Sequence, residues 1–430
     1  MVSSRMVMNK DHLLNESKTF CMFPWVQINS LPSGATGPCC ISKALHTDDG
    51  YAKANDHNLM GLVNSEGMKQ LRLDMLNGVK NPDCEACYFH EEHQPVNKSF
   101  RQTANEEYGR HFDEALAYTN SDGSLNDFKM RYYDFRFSNI CNFKCRTCGQ
   151  EFSSQWEQEN IRNKVSWAKE FPKNTNTEFL QDVIDQIPNL EVAYFAGGEP
   201  LITDEHYILL EEMIKQNRTD VRLRYNTNFS NLKFKNKDLL GLWKYFKHKI
   251  DIYASIDHYG ERAEYIRHGT DWGLIEQNIR ALRQHDFIKM TMNTVFSIFN
   301  FFTMDQFYQY LMTNNLYTNR DLAASVYCMS TPHHLSCHSM PEDLKHIGNE
   351  SLDRAIDLLR ANKFPNPHIN GLVQARSWAL SHDTWLDKDR YGYTNKVRFR
   401  MEIERLDKIR GEKFENVFPE LMPLMERTYE

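Results

Sequence analysis

The sequence predicts an α/β fold, a partial (β/α)6 barrel of parallel strands. Two observations predict it. Strand-like runs of apolar and β-branched residues alternate about six times with segments of helical periodicity between 128 and 330. The strongest chemical motif, "CNFKCRTC" at 141–148, falls just after the first of those strands, where the active site of such folds is built.

The strand runs are "MRYYDFRFS", "EVAYFAG", "VRLRYNTN", "DIYASID", "IKMTMNTVFSI" and, less regular, "LAASVYC". The helical runs between them are "TEFLQDVIDQI", "DEHYILLEEMIKQ", "KDLLGLWKYFKHK", "LIEQNIRALRQH" and "TMDQFYQYLMTNN". Strand then helix, repeated, is the pattern of a parallel sheet with covering helices. Residues 1–125 are rich in turns ("LPSGATGPCC", "HTDDGYAKAND", "NGVKNPDCEAC"), with one helix expected at "SEGMKQLRLDMLNG". "TNSDGSLND" reads as a linker, and 331–430 as helical. Three domains follow: 1–125, 126–330 and 331–430. For 430 residues, at about 100–200 per domain, that number is ordinary.

The formal charge of −7 gives no bulk attraction to nucleic acid or anionic membranes. The first twenty residues lack the apolar run of a signal peptide, and no stretch approaches the ~20 apolar residues of a membrane helix. A cytoplasmic location is expected. In a reducing compartment, closely spaced cysteines bind metal more often than they form disulfides. The ten cysteines stand at 21, 39, 40, 84, 87, 141, 145, 148, 328 and 337.

Cys141, Cys145 and Cys148 crowd one loop. Three thiolates suit a compact soft metal centre; a structural zinc site usually wants a fourth protein ligand, and none is obvious nearby. An iron–sulfur cubane held by three thiolates keeps one iron open for substrate amino and carboxylate groups. "YFAGGEPL" ends the second strand. Gly197 and Gly198 allow positive φ and close backbone approach, and Glu199 offers a carboxylate suited to an ammonium.

These motifs resemble the radical S-adenosylmethionine (SAM) enzymes. "CNFKCRTC" is similar to that superfamily's three-cysteine motif and "GGEP" to its second. "YNTN" (225–228) resembles a polar turn near SAM, and "SIDHYGERAEYIRHGTDW" (255–272) the family's fourth-strand segment. The resemblance covers about 128–330. It implies a [4Fe–4S] cluster on Cys141, Cys145 and Cys148, and SAM beside Phe143, Thr147, Gly197, Gly198, Glu199, Asn228, Ser255, Asp257 and Arg267. The family usually has an aromatic residue before the last cysteine; here Thr147 stands there and Phe143 is the loop's aromatic. The implied reaction is reductive cleavage of SAM to a 5′-deoxyadenosyl radical, which abstracts hydrogen from substrate. Asn228, Ser255 and Asp257 also suit helix capping, and Arg267 a surface role.

Cys21, Cys39, Cys84 and Cys87 form a second set, suited to one cluster or one tetrahedral zinc. With "MFPWVQI" and "PDCEACYFHE" they resemble the twitch module, a shortened SPASM domain that holds an auxiliary [4Fe–4S] cluster. In many relatives it follows the barrel; here it precedes it. Electron transfer is its expected role. Cys40 is an alternative to Cys39. The late group "CMSTPHHLSCH" has irregular spacing and no completed ligand set. The resemblance implies a radical SAM oxidoreductase or maturase. Its substrate is a peptide or protein; the alternatives are a nucleotide-derived or other small molecule, or a non-catalytic iron–sulfur sensor. Its expected partner is an electron donor such as flavodoxin or ferredoxin.

Overall fold

The computed structural model describes residues 9–46, 50–93, 98–171, 177–382 and 384–426. Residues 47–49 of the expected turn stretch "HTDDGYAKAND", and residues 1–8, lie outside them.

All six expected strands form. They are β3 (Tyr132–Phe135), β4 (Val192–Phe195), β5 (Arg222–Thr227), β8 (Ile250–Ser255), β9 (Ile288–Phe296) and β10 (Ser325–Cys328). Two short strands, β1 (Asn29–Ser30) and β2 (Thr36–Gly37), precede them, and β6 (Lys233–Phe234) pairs with β7 (Lys237–Asp238) in a separate hairpin. The order β10-β9-β8-β5-β4-β3-β1-β2 makes an open, mostly parallel eight-stranded sheet. Within this sheet the pairings β1–β3, β3–β4, β8–β9 and β9–β10 are parallel, and β1–β2 is antiparallel. No described helix is long and apolar enough to cross a membrane.

The chain divides into two compact units: 1–140 with 166–224, and 141–165 with 225–430. In the first, helix α1 (Glu66–Leu76) forms where expected, burying Met68, Leu71 and Met75. The turn-rich zone holds more helix than its composition suggests: α2 (Glu85–His93) and α3 (Phe100–Tyr108). The second has a readable cause, a capping box in which Ser99 and Gln102 exchange side-chain and backbone bonds. The stretch read as a linker is packed. Arg72 is buried on α1 and donates to Pro24 O (2.9 Å), Gly123 O (3.0 Å) and Val63 O (2.8 Å), and Leu125 is buried beside that turn. Burial lowers the Arg72 guanidinium to about 9, the cost of satisfying three carbonyls with one cation.

In the second unit the cysteine loop leads into α4 (Ser154–Arg162). β8 and β9 are followed by α7 (Gly260–Ile266), α8 (Trp272–Leu282) and α9 (Met304–Thr313), and the last hundred residues form α10 (Glu342–Ala361), α11 (Asn366–Leu380) and α12 (Asn395–Arg410). The first unit's remaining long helices are α5 (Thr177–Asp185) and α6 (Asp204–Lys215). The helix expected at 237–249 is cut to Leu239–Trp243, because Lys237 and Asp238 are held in the β6–β7 hairpin.

Gly348 on α10 lies so close to the buried Phe301 ring that a Cβ would sit 2.4 Å from it. Glycine to alanine in a helix normally stabilises by ~0.5–1 kcal/mol. Here overpacking reverses the sign. Gly348→Ala is expected to lower stability by about 1–3 kcal/mol in a denaturant titration.

Candidate metal centres

The loop bearing Cys141, Cys145 and Cys148 is fixed by its backbone. Lys144 N donates to His268 O (2.8 Å) and Arg146 N to Ile266 O (2.7 Å), so alternate amides of the loop dock on the segment after α7. Gly269 makes that approach feasible. Its φ is +107°, and a Cβ there would lie 3.0 Å from both Asn142 O and the Phe143 ring. On the other flank Ser153 caps α4 by accepting from Trp156 N (3.2 Å), and it donates to Phe143 O (2.6 Å). The Trp156 indole donates to Cys145 O (2.7 Å). Cys145 is buried, Cys141 half-buried and Cys148 exposed.

Buried charge braces the same loop. Arg146 pairs with Asp407 (2.5 Å) and Glu412 (2.6 Å) and stacks 3.7 Å from the centroid of Tyr265. Tyr265 donates to Asp407 Oδ1 (2.6 Å), and His268 contacts Glu412 (2.6 Å). Lys144 and Arg410 both pair with Glu159, at 2.5 and 2.9 Å. Burial pushes the Glu159 carboxyl up, but the two cations outweigh it and hold it below the usual range. Thus α12 and the residue after its Gly411 cap are tied to the cysteine loop by two charge clusters.

Arg267 and Asp257 pair with each other. Arg267 Nη2 donates to Asp257 Oδ1 (3.0 Å), and Nε lies 2.8 Å from Oδ2 as a charge contact without hydrogen-bond alignment. Asp257 Oδ1 also accepts Val295 N (2.8 Å). Arg267 Nη1 is 3.9 Å from Cys145 Sγ. Burial raises the Cys145 thiol above its ordinary range, and the Arg267 charge opposes that rise. Asn228 is buried and donates to Asn142 Oδ1 (2.8 Å), while Ser230 N donates to Asn228 Oδ1 (3.0 Å). Phe143 is buried, Thr147 half-buried, and Ser255 half-buried at the carboxyl end of β8 in register with Asn293.

In the first unit Gly197 has φ +125°. A Cβ on Gly198 would lie 2.2 Å from the carbonyl oxygen of Ile140, the residue before Cys141. Glu199 N donates to that same oxygen (2.7 Å), and Glu199 Oε1 accepts Leu201 N (3.0 Å). The GGEP turn is therefore threaded against the start of the cysteine segment, which explains its two glycines.

The second thiol set shares one cavity. Cys21, Cys39, Cys84 and Cys87 line it, with Met75 and Arg101 among the neighbours. Cys40 is not in its lining; burial, with Asp134 adding to it, pushes that thiol up to about 12. Of the adjacent pair it is Cys39 that lines the cavity. Asn81 caps the turn before Cys84, accepting from Asp83 N (2.9 Å), and Cys87 sits in the first turn of α2. Arg101 is clamped by Glu91 (2.6 Å) and donates to Ser17 O (2.8 Å) and Phe20 O (3.0 Å), while Asn105 Oδ1 accepts Met22 N (2.9 Å). Helix α3 thus pins both sides of Cys21. Among the described residues no three His, Cys, Asp or Glu side chains converge as a single metal ion requires.

Residues 135–311 match the model of the Radical SAM superfamily. The matched span includes all three loop cysteines, GGEP and the Asp257–Arg267 pair. Among solved structures it is similar to native anSMEcpe with bound AdoMet and Cp18Cys peptide: 15% identity, 54% of this chain and 61% of that one, TM-score 0.37. It is also similar to Streptococcus suis SuiB bound to S-adenosylmethionine: 12% identity, 70% of this chain and 63% of that one, TM-score 0.34. The chain spans less than two thirds of the length of either structure. No curated protein matches.

The structure brings Cys145, Asp257 and Arg267 together, and joins Asn228 to the loop through Asn142. The reading of the sequence missed Arg146, Lys144, Glu159, Asp407 and Glu412. Nothing local marks an ion pair spanning over 250 residues. Gly269 and the Ser153–Ser154 pair, a helix-start signal, were open to view.

Replacing both Asp407 and Glu412 by their amides leaves Arg146 charged, buried and unpaired. Stability is expected to fall by about 3–5 kcal/mol, measured by denaturation, with a parallel loss of iron after anaerobic reconstitution.

Proposed function

We propose that the chain is a radical SAM enzyme that acts on a peptide or protein. The observation that carries the reading is the loop that gathers Cys141, Cys145 and Cys148 within the matched residues 135–311, with the Arg267 guanidinium 3.9 Å from the Cys145 sulfur. Cys141, Cys145 and Cys148 would hold a [4Fe–4S] cluster. Loaded with that cluster and SAM, the site would supply one-electron cleavage of the cofactor and a 5′-deoxyadenosyl radical for hydrogen abstraction.

The chain's own residues hold and shield. The 266–269 segment and Ser153 fix the loop, Phe143 and Trp156 cover it, and Gly198 lets the GGEP turn close on Ile140. We assign SAM contacts to Gly197, Glu199, Asn228 and Ser255, with Asp257 and Arg267 supporting that side, on the motif resemblance. Residues 1–125 are our auxiliary module, with Cys21, Cys39, Cys84 and Cys87 as ligands of a second [4Fe–4S] cluster. The cavity they share supports it. Residues 126–330 are our radical SAM domain and 331–430 a helical closure. An iron–sulfur module ahead of the barrel is the feature that favours a peptide substrate, by its resemblance to SPASM and twitch modules.

The test is anaerobic reconstitution, dithionite reduction and addition of SAM, with peptide extract present. 5′-Deoxyadenosine is expected from the wild type and none from Cys145→Ala. No product from wild type with both clusters confirmed would favour a non-catalytic sensor. A second expectation separates the neighbouring thiols. Cys39→Ala is expected to lose about half of the bound iron and sulfide, and Cys40→Ala essentially none.

A further inference from the structure

Arg267 follows α7 directly, and its guanidinium is divided between two partners. Nε and Nη2 face the Asp257 carboxylate, while Nη1 points at Cys145 Sγ, 3.9 Å away. Asp257 is fully buried and is itself fixed by Val295 N on β9 and by Asn300, whose amide donates to Asp257 O (3.2 Å). The fork therefore cannot swing freely: an immobile carboxylate aims it at a sulfur. Arg410 adds a weaker positive influence on Cys145 and Asp257 a negative one.

A metal cluster gains negative charge on reduction. An N–H donor to a ligand sulfur and a buried cation beside it stabilise the reduced state more than the oxidised one. We propose that Arg267 is a positioning residue that raises the reduction potential of the cluster on Cys141, Cys145 and Cys148, by donating to the Cys145 sulfur while Asp257 holds it in place. This rests on the reading that those thiols hold a cluster. It is separate from any contact of Arg267 with SAM.

The experiment is an EPR-monitored redox titration of the reconstituted full chain, run without SAM. The first cluster is identified by the signal that shifts when SAM is added at the end. Arg267→Gln is expected to move the midpoint to a more negative potential. Asp257→Asn, which removes the opposing charge, is expected to move it to a more positive one. Arg267→Lys keeps the charge without the planar fork and is expected between wild type and Arg267→Gln. Each single neutralisation leaves a buried charge, so the double variant Arg267→Gln/Asp257→Asn is the safeguard against misfolding. Its midpoint is expected below that of wild type. An unchanged midpoint in the double variant at full iron content overturns the proposal. So does loss of the cluster from the double variant, which would make the pair purely structural. A wild-type chain that takes up no iron–sulfur cluster sinks the proposed function itself, and this inference with it.

Discussion

A short loop that crowds three thiols together is unstable by itself. The thiolates repel one another, and burial disfavours their charge. The rest of the second unit is organised around that problem. Two backbone hydrogen bonds dock the loop on the 266–268 segment, and Gly269 provides the space. Three cations on or against the loop, Lys144, Arg146 and Arg267, are each held by a carboxylate anchored elsewhere in the unit. Each cation is thereby fixed in place against the loop by a buried or half-buried carboxylate.

The carboxylates come from far along the chain. Asp407 and Glu412 belong to α12 and its C-cap, some 260 residues beyond Arg146. The C-terminal helices, which read from composition as a plain helical closure, therefore secure the cysteine loop. In the first unit α3 plays a comparable part for Cys21, through Arg101 and Asn105. In both, a helix distant in sequence supplies polar side chains that satisfy loop backbone or loop charge.

Much of the architecture was legible. The six strands of the alternating zone form where period and β-branched or aromatic content place them, as in β5, whose residues alternate half-buried and buried. The helix at 66–76 follows its apolar spacing. Helices α2 and α3 were obscured by polar composition, and only the Ser99 capping box marks the second. The loop cysteines and GGEP were visible as motifs because their chemistry is local. Arg146 was inside the quoted motif yet carried no signal, since its partners are set by tertiary packing. Asp257 and Arg267 were singled out as cofactor contacts; their pairing with each other needed the structure.

The central claim is that one iron of the loop's cluster has no protein ligand and is open to SAM. The direct measurement is Mössbauer spectroscopy of protein reconstituted with ⁵⁷Fe, in a Cys84→Ala background that silences the second site, before and after SAM is added. The account predicts that a single iron environment of the cubane changes on addition. Identical spectra with and without SAM at full cluster occupancy would contradict it.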